Sequence, residues 1–159
     1  MEVEPVPQVD PPYQFSKTHY FYLDNRIGSA EIIIPPRTTG PPAHWHEMHD
    51  ETFLVQKGTV RFHAPDGQHI DAKEGDYVVV PTRAPHTFSN PFDEEARFFN
   101  TYTPAFYINY FKLLKEMQES GQAYTKEMNL EAMSRFATLP AKEMLVEKKD
   151  WTSGGGRNA

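Results

Sequence analysis

A chain of 159 residues with 38% hydrophobic and 13% aromatic content has the material for one core and the size of one ordinary domain. Sixteen Lys and Arg against twenty-two Asp and Glu give a formal charge of −6 without a basic cluster, which argues against nucleic-acid and anionic-membrane partners. Cysteine is absent, so disulfide and thiolate chemistry are excluded and a reducing compartment is expected.

In chain order, residues 1–18 are acidic and proline-rich and are expected to form a flexible arm. They hold no apolar run of the kind a secretory signal carries, and no stretch of the chain approaches the ~18 apolar residues of a membrane helix. A soluble, cytoplasmic protein is the expectation. Residues 19–103 then show short apolar runs broken by Gly, Pro and Asp: EIIIPP from Glu31, TFLVQ from Thr52, TVRFHA from Thr59, YVVVP from Tyr77 and RFFNTY from Arg97. Close spacing of β-branched and aromatic runs predicts an all-β sandwich or barrel. APDGQ from Ala64 predicts a hairpin turn, and QKG from Gln56 and KEG from Lys73 predict two more turns ending in glycine.

The pattern changes over residues 104–150. Phe106, Tyr107, Tyr110, Phe111, Leu113, Leu114 and Met117 recur at helical spacing, and Gly121 is a natural stop. A second amphipathic helix is predicted from about Leu130 to Leu139, ended by Pro140. Both helices are expected to pack on the barrel, at a subunit interface or over a ligand. Residues 151–159 read as a disordered tail.

The chemistry concentrates in GPPAHWHEMHDETFLVQKG, Gly40 to Gly58. On a strand, His44 and His46 point to one face with Cα atoms roughly 6–7 Å apart. Two imidazoles so placed can share one metal at bonds of ~2.0–2.2 Å. Period two puts Glu51 on one face with Phe53 and Val55, so its carboxylate should point inward, which is costly unless it is paired or metal-bound. Downstream, His86 opens a strand whose face it shares with Phe88 and Asn90. A small barrel would bring these four side chains together. A set of solvated loop histidines is the competing reading.

The spacing of the surrounding residues resembles the two motifs of the cupin superfamily. The first runs Gly40, three residues, His44, Trp45, His46, four residues, Glu51, six residues, Gly58. Its opening glycine stands two residues nearer the first histidine than is usual. The second runs Gly75, five residues, Pro81, Thr82, Arg83, Ala84, Pro85, His86, three residues, Asn90. Arg83 stands where the family usually has glycine. The resemblance implies an all-β fold, a cupin jelly-roll β-barrel with a C-terminal helical extension. It also implies one divalent metal ion per chain, held by His44, His46, Glu51 and His86. Glu47 and His49 lie outside the motif positions and are expected to face solvent, although His49 can also stand behind the ligands. By alternation with Phe62, His63 is expected to face water. His19 and His69 carry no spacing signal.

Three imidazoles and a carboxylate suit Fe(II) first, with Zn, Mn, Ni, Cu or Co as alternatives. The small single-domain members of quercetin-dioxygenase-like type, some from fungal natural-product pathways, are the nearest resemblance. They imply a phenolic, enolic or polyketide-like substrate that chelates the metal, with Glu51 as both ligand and catalytic base. Trp45, Phe53 and Phe88 are candidate pocket walls. The alternatives are a redox-neutral isomerase, cyclase, dehydratase or decarboxylase of secondary metabolism, and a non-catalytic binding barrel. The expected partners are a small-molecule substrate and a second copy of the chain in a homodimer.

Overall fold

The structure, a computed structural model, describes residues 14–15, 26–121 and 125–141. The expected tail at 151–159, His19 and the greater part of the expected arm lie outside these residues. Eleven strands and two α-helices are present among the described residues. The barrel strands are β1 (Gln14–Phe15), β2 (Gly28–Ile34), β3 (Thr38–Thr39), β4 (His44–His46), β5 (Asp50–Lys57), β6 (Thr59–His63), β7 (His69–Lys73), β8 (Tyr77–Val80), β9 (Thr87–Asn90) and β10 (Ala96–Thr103). They are followed by α1 (Ile108–Glu119), α2 (Lys126–Ser134) and a last strand, β11 (Thr138–Pro140). No helix among the described residues is long and apolar enough to cross a membrane.

The strands form a five-stranded sheet in the order β1-β2-β10-β5-β8, a four-stranded sheet β3-β9-β6-β7 and a pair β11-β4, all antiparallel. Together they make a jelly-roll barrel with a short C-terminal helical part. Strand β1, within the stretch read as an arm, adds an edge to β2 through Gln14↔Ile33 and Phe15↔Ile32. Strict alternation builds the interior. Ala30, Ile32 and Ile34 of β2, Phe53 and Val55 of β5, and Ala96 and Phe98 of β10 all point inward and are buried. They meet Val60 and Phe62 of β6 and Phe88 of β9. Phe98 packs edge-on against Phe53 and Phe88, with centroids 5.2 and 5.1 Å away, an arrangement that suits the aromatic quadrupole.

Two features of the first motif follow from backbone geometry. A Cβ on Gly40 would lie 1.8 Å from the carbonyl oxygen of Phe88, so only glycine lets the strand carrying the second motif come this close. Gly58 sits at φ +70°, and its Cβ would lie 2.6 Å from the carbonyl of Glu95. The second motif behaves differently. Arg83 takes the left-handed φ of 68° without being glycine. Its backbone N–H donates to the carbonyl of His46 at 2.8 Å, and its guanidinium pairs with Glu47 at 2.6 Å.

The C-terminal part departs from expectation in one respect. Helix α1 ends as predicted, with Gly121 at φ 74°. Helix α2 begins earlier than expected, capped by Thr125, whose side chain accepts from the N–H of Met128, and stops at Ser134. Ala137 turns the chain at φ 52°, and Thr138–Pro140 then pairs with β4 in the register Thr138↔His46, Leu139↔Trp45, Pro140↔His44. Two backbone bonds flank this pairing: Glu47 N–H to Ala137 O at 2.8 Å and Ala141 N–H to Ala43 O at 3.0 Å. A β-branched residue followed by Leu-Pro cannot extend the helix, and the free edge of β4 satisfies its backbone instead.

Candidate metal centre

Strand β4 turns His44 and His46 inward, 3% and 1% exposed, and Trp45 outward. His86 lies beside His44 through a reciprocal pair of backbone bonds, His44 N–H to His86 O at 3.0 Å and His86 N–H to His44 O at 2.8 Å. Glu51 is the first inward residue of β5, paired in register with Tyr102 on β10 and Val80 on β8. The loop leading to His86 is fixed from two sides. Asp50 accepts from the N–H and hydroxyl of Thr82 at 2.8 and 2.9 Å, and Arg83 grips Glu47. The Thr82 bonds hold the Asp50 carboxyl below its ordinary range.

One donor atom from each of His44, His46, Glu51 and His86 lies within 4.8 Å of the others, and all four residues are buried. The hydrogen bonds behind them show which nitrogens are available. His44 Nδ1 donates to the carbonyl of Pro42 at 2.7 Å, and His86 Nδ1 donates to that of Ala84 at 3.0 Å. A carbonyl only accepts, so each Nδ1 carries a proton, and in the neutral form of either ring the lone pair lies on Nε2. Yet His86 Nε2 and His46 Nε2 both lie 3.0 Å from Glu51 Oε2. A lone pair facing a carboxylate oxygen at that distance is unfavourable unless a cation, a metal ion or a proton, lies between them. The donor set fits a divalent metal ion of borderline softness.

The charges agree. Burial, then the neighbouring His86 and His46, push the His44 pKa well below its ordinary value, so this ring is neutral, the form that binds metal. Burial opposes ionisation of Glu51, but the imidazoles of His46 and His86 outweigh it and hold the carboxyl well below its usual range.

Beside the donors lies a cavity of about 20 Å³, room for one or two waters. Its polar end is His44, Glu51 and Asn100; its walls are Ile32, Pro41, Phe88, Tyr107, Tyr110, Phe111 and Met133. Four of these seven wall residues come from the C-terminal part. The Tyr110 hydroxyl donates to Asn129 Oδ1, which ties α1 to α2 over the cavity.

Of the three expected pocket walls, Phe88 lines the cavity. Phe53 belongs to the core behind it, with its ring 6.5 Å from that of His86. Trp45 does not line the cavity, because the residue between two inward histidines must point outward; it packs on Ala43 and Ala141. His49, expected at solvent or behind the ligands, is 1% exposed and takes the second of these places. Its ring lies 3.9 Å from that of His46 and 4.3 Å from that of Tyr107, and neither ring nitrogen has a hydrogen-bond partner among the described residues. Burial and then His46 lower its pKa to about 3. Glu47 is half-buried by its pairing with Arg83. His63 is also buried rather than facing water: its alternation is as expected, but Nε2 bonds to Ser89 Oγ at 2.8 Å and the His69 ring stands 6.4 Å away. Asn90 serves structure: its amide donates to the carbonyls of Ile34, Pro35 and Glu94.

Sequence reasoning missed Tyr107, Tyr110 and Met133 as walls, and Thr138, whose hydroxyl oxygen stands 2.9 Å from His46 Nδ1. The apolar stripe of α1 was a signal that something is covered, though not what. Nothing local marks Thr138.

Residues 30–102 match the sequence family described as Cupin domain. Two solved structures share the fold. KdgF from Halomonas sp. is 21% identical with a TM-score of 0.52, covering 60% of this chain and 82% of that one. An uncharacterized conserved protein with a double-stranded beta-helix domain from Klebsiella pneumoniae is 19% identical with a TM-score of 0.51, covering 65% and 84%. A sugar phosphate isomerase of the cupin superfamily from Silicibacter pomeroyi is 24% identical with a TM-score of 0.45, covering 49% of this chain and 50% of that one. The chain thus spans about half the length of that isomerase. No curated protein matches the chain.

Proposed function

We propose that the chain is a metal-dependent cupin enzyme holding one divalent ion through His44, His46, Glu51 and His86. Its activity, in this reading, is that of an O2-using dioxygenase of quercetinase type acting on a phenolic, enolic or polyketide-like small molecule. The observation that carries it is the convergence of four donors, two of which, His44 and Glu51, line a cavity whose other walls are mainly apolar and aromatic.

A redox-active ion such as Fe(II), when bound, supplies Lewis acidity and electron transfer at this point. The chain's own residues supply the rest. The Glu51 carboxylate lines the cavity, so it is placed to take the proton of a substrate hydroxyl. Phe88, Tyr107 and Tyr110 line the cavity with aromatic surface suited to a planar substrate once the walls part to admit it, while Ile32, Phe111 and Met133 make the surroundings apolar, which strengthens the electrostatics at the donors. Among the described residues lining the cavity there is no Lys or Arg to neutralise a phosphate, which favours a phenol or enol over a phosphorylated substrate.

Metal analysis of protein purified without added metal, followed by O2-uptake assays on phenolic and enolic substrates, tests the reading. O2 consumption that depends on metal supports it. Turnover without O2 consumption assigns redox-neutral isomerase or lyase chemistry instead, and binding without turnover assigns a binding barrel.

We also infer a homodimer. The outer face of the five-stranded sheet exposes Phe99, Leu54 and Tyr77 in one cross-strand row, with Val79 beside them. Light scattering that returns a monomer mass near 18.3 kDa overturns this.

A further inference from the structure

The three candidate imidazole ligands are not held alike. His44 and His86 lean on carbonyls of their own segments, Pro42 and Ala84, each two residues away. His46 leans on a residue 92 positions distant, Thr138 of β11, with Nδ1 2.9 Å from Oγ1 and both side chains buried. A hydroxyl is a different partner from a carbonyl, because it can donate as well as accept. The Thr138 hydroxyl has a second neighbour, the carbonyl of Phe136 at 3.3 Å, in the same turn that redirects the chain after α2. With its proton on that carbonyl, Oγ1 is left as an acceptor, and His46 Nδ1 must donate to it. The His46 lone pair then lies on Nε2, beside Glu51 Oε2 and in line with the other two rings.

We propose that strand β11 is part of the metal centre and that Thr138 is a positioning residue fixing the ring orientation and tautomer of His46. The inference rests on the metal-centre reading above. It gives the C-terminal segment a role beyond covering the barrel. The register Thr138↔His46 holds the hydroxyl against the ring, and the turn at Ala137 delivers the Phe136 carbonyl that takes the hydroxyl proton.

Removing the hydroxyl has a specific consequence. Without Oγ1, a proton on His46 Nδ1 is buried and unpartnered, whereas a proton on Nε2 has Glu51 Oε2 at 3.0 Å. The ring therefore changes tautomer and donates to Glu51. That internal hydrogen bond occupies the two donor atoms a metal ion needs. Metal must now compete with it.

The test compares the whole chain with Thr138→Val, close in shape but without the hydroxyl, and with Thr138→Ser, which restores it. Three quantities are read: Zn(II) and Co(II) affinity by competition with a chelator, the His46 tautomer in metal-free protein at pH 8 from long-range proton–nitrogen NMR, and the thermal midpoint. We expect Thr138→Val to bind both metals ~10–100-fold more weakly, the scale for loss of a partner behind a ligand, with His46 moving from the Nδ1–H to the Nε2–H form. Thr138→Ser should restore both. Thr138→Val with wild-type affinity and an Nδ1–H ring overturns the proposal, as does weakening that Thr138→Ser fails to rescue at a wild-type thermal midpoint. Should the wild-type chain bind neither metal, the metal-centre reading fails, and the tautomer of the metal-free proteins still decides whether Thr138 holds His46.

Discussion

The site has two halves of different construction. The barrel half supplies every proposed ligand, from β4, β5 and the residue before β9; strand parity aims His44, His46 and Glu51, and the bridge to His44 places His86. The C-terminal half supplies no ligand; the segment from Tyr107 to Pro140 provides four of the seven cavity walls and the hydroxyl behind His46. Chemistry is thus fixed by the rigid sheets, while enclosure and fine orientation come from a segment added after the barrel is complete. The two halves should fail differently when altered.

The sharpest break is on the barrel side. His86→Ala removes a donor with its pre-set lone pair, and should abolish both stable metal binding and turnover, measured by metal content after dialysis and by assay. Glu51→Gln should separate the two. Its three imidazoles can still hold a metal, ~10–100-fold more weakly, but at saturating metal the turnover should fall ~10²–10⁴-fold, the usual worth of a positioned base. Turnover at the wild-type rate in metal-loaded Glu51→Gln would assign the proton transfer to another group.

On the C-terminal side the expectation reverses. Met133→Ala empties a side chain that is 1% exposed and lines the cavity. It should cost ~2–5 kcal/mol in chemical denaturation and leave metal affinity near wild type. Loss of metal equal to that of His86→Ala would erase the distinction between the halves.

The smallest effect lies away from both, on the four-stranded sheet. Burial, then Arg61, lower the pKa of His63 to about 4, so the folded ring stays neutral where the unfolded ring, near ~6.5, takes up a proton. Its contribution is complete above pH 6.5 and is lost as pH falls toward 4. Denaturation of metal-free His63→Gln should accordingly show a shallower decline in stability over that interval than wild type.

What could be read from sequence follows the same division. The four proposed ligands were legible because their aim depends on local alternation and on spacing between neighbouring strands. Trp45 was legible too: lying between two inward histidines, it had to face away, and parity alone could have excluded it from the pocket. Strand β11 was hidden because its conformation is decided by an edge nearly a hundred residues earlier. Read locally, Leu130 to Leu139 keeps a helical pattern up to Pro140, and pairing with the edge of β4 turns Thr138–Pro140 into a strand. The burial of His49 was hidden for the same reason. A polar loop residue reads as solvated until a distant helical segment lands on it, and Tyr107 does so.

The size of the cavity has a kinetic meaning. At about 20 Å³ it has no room for an aromatic ring beside the donors, whereas ligand sites run to ~300–1,000 Å³. A substrate larger than water is therefore expected to enter only once the side chains that wall the cavity move apart. If that opening limits entry, observed association rates should level off as ligand concentration rises, at one ceiling shared by chemically different ligands.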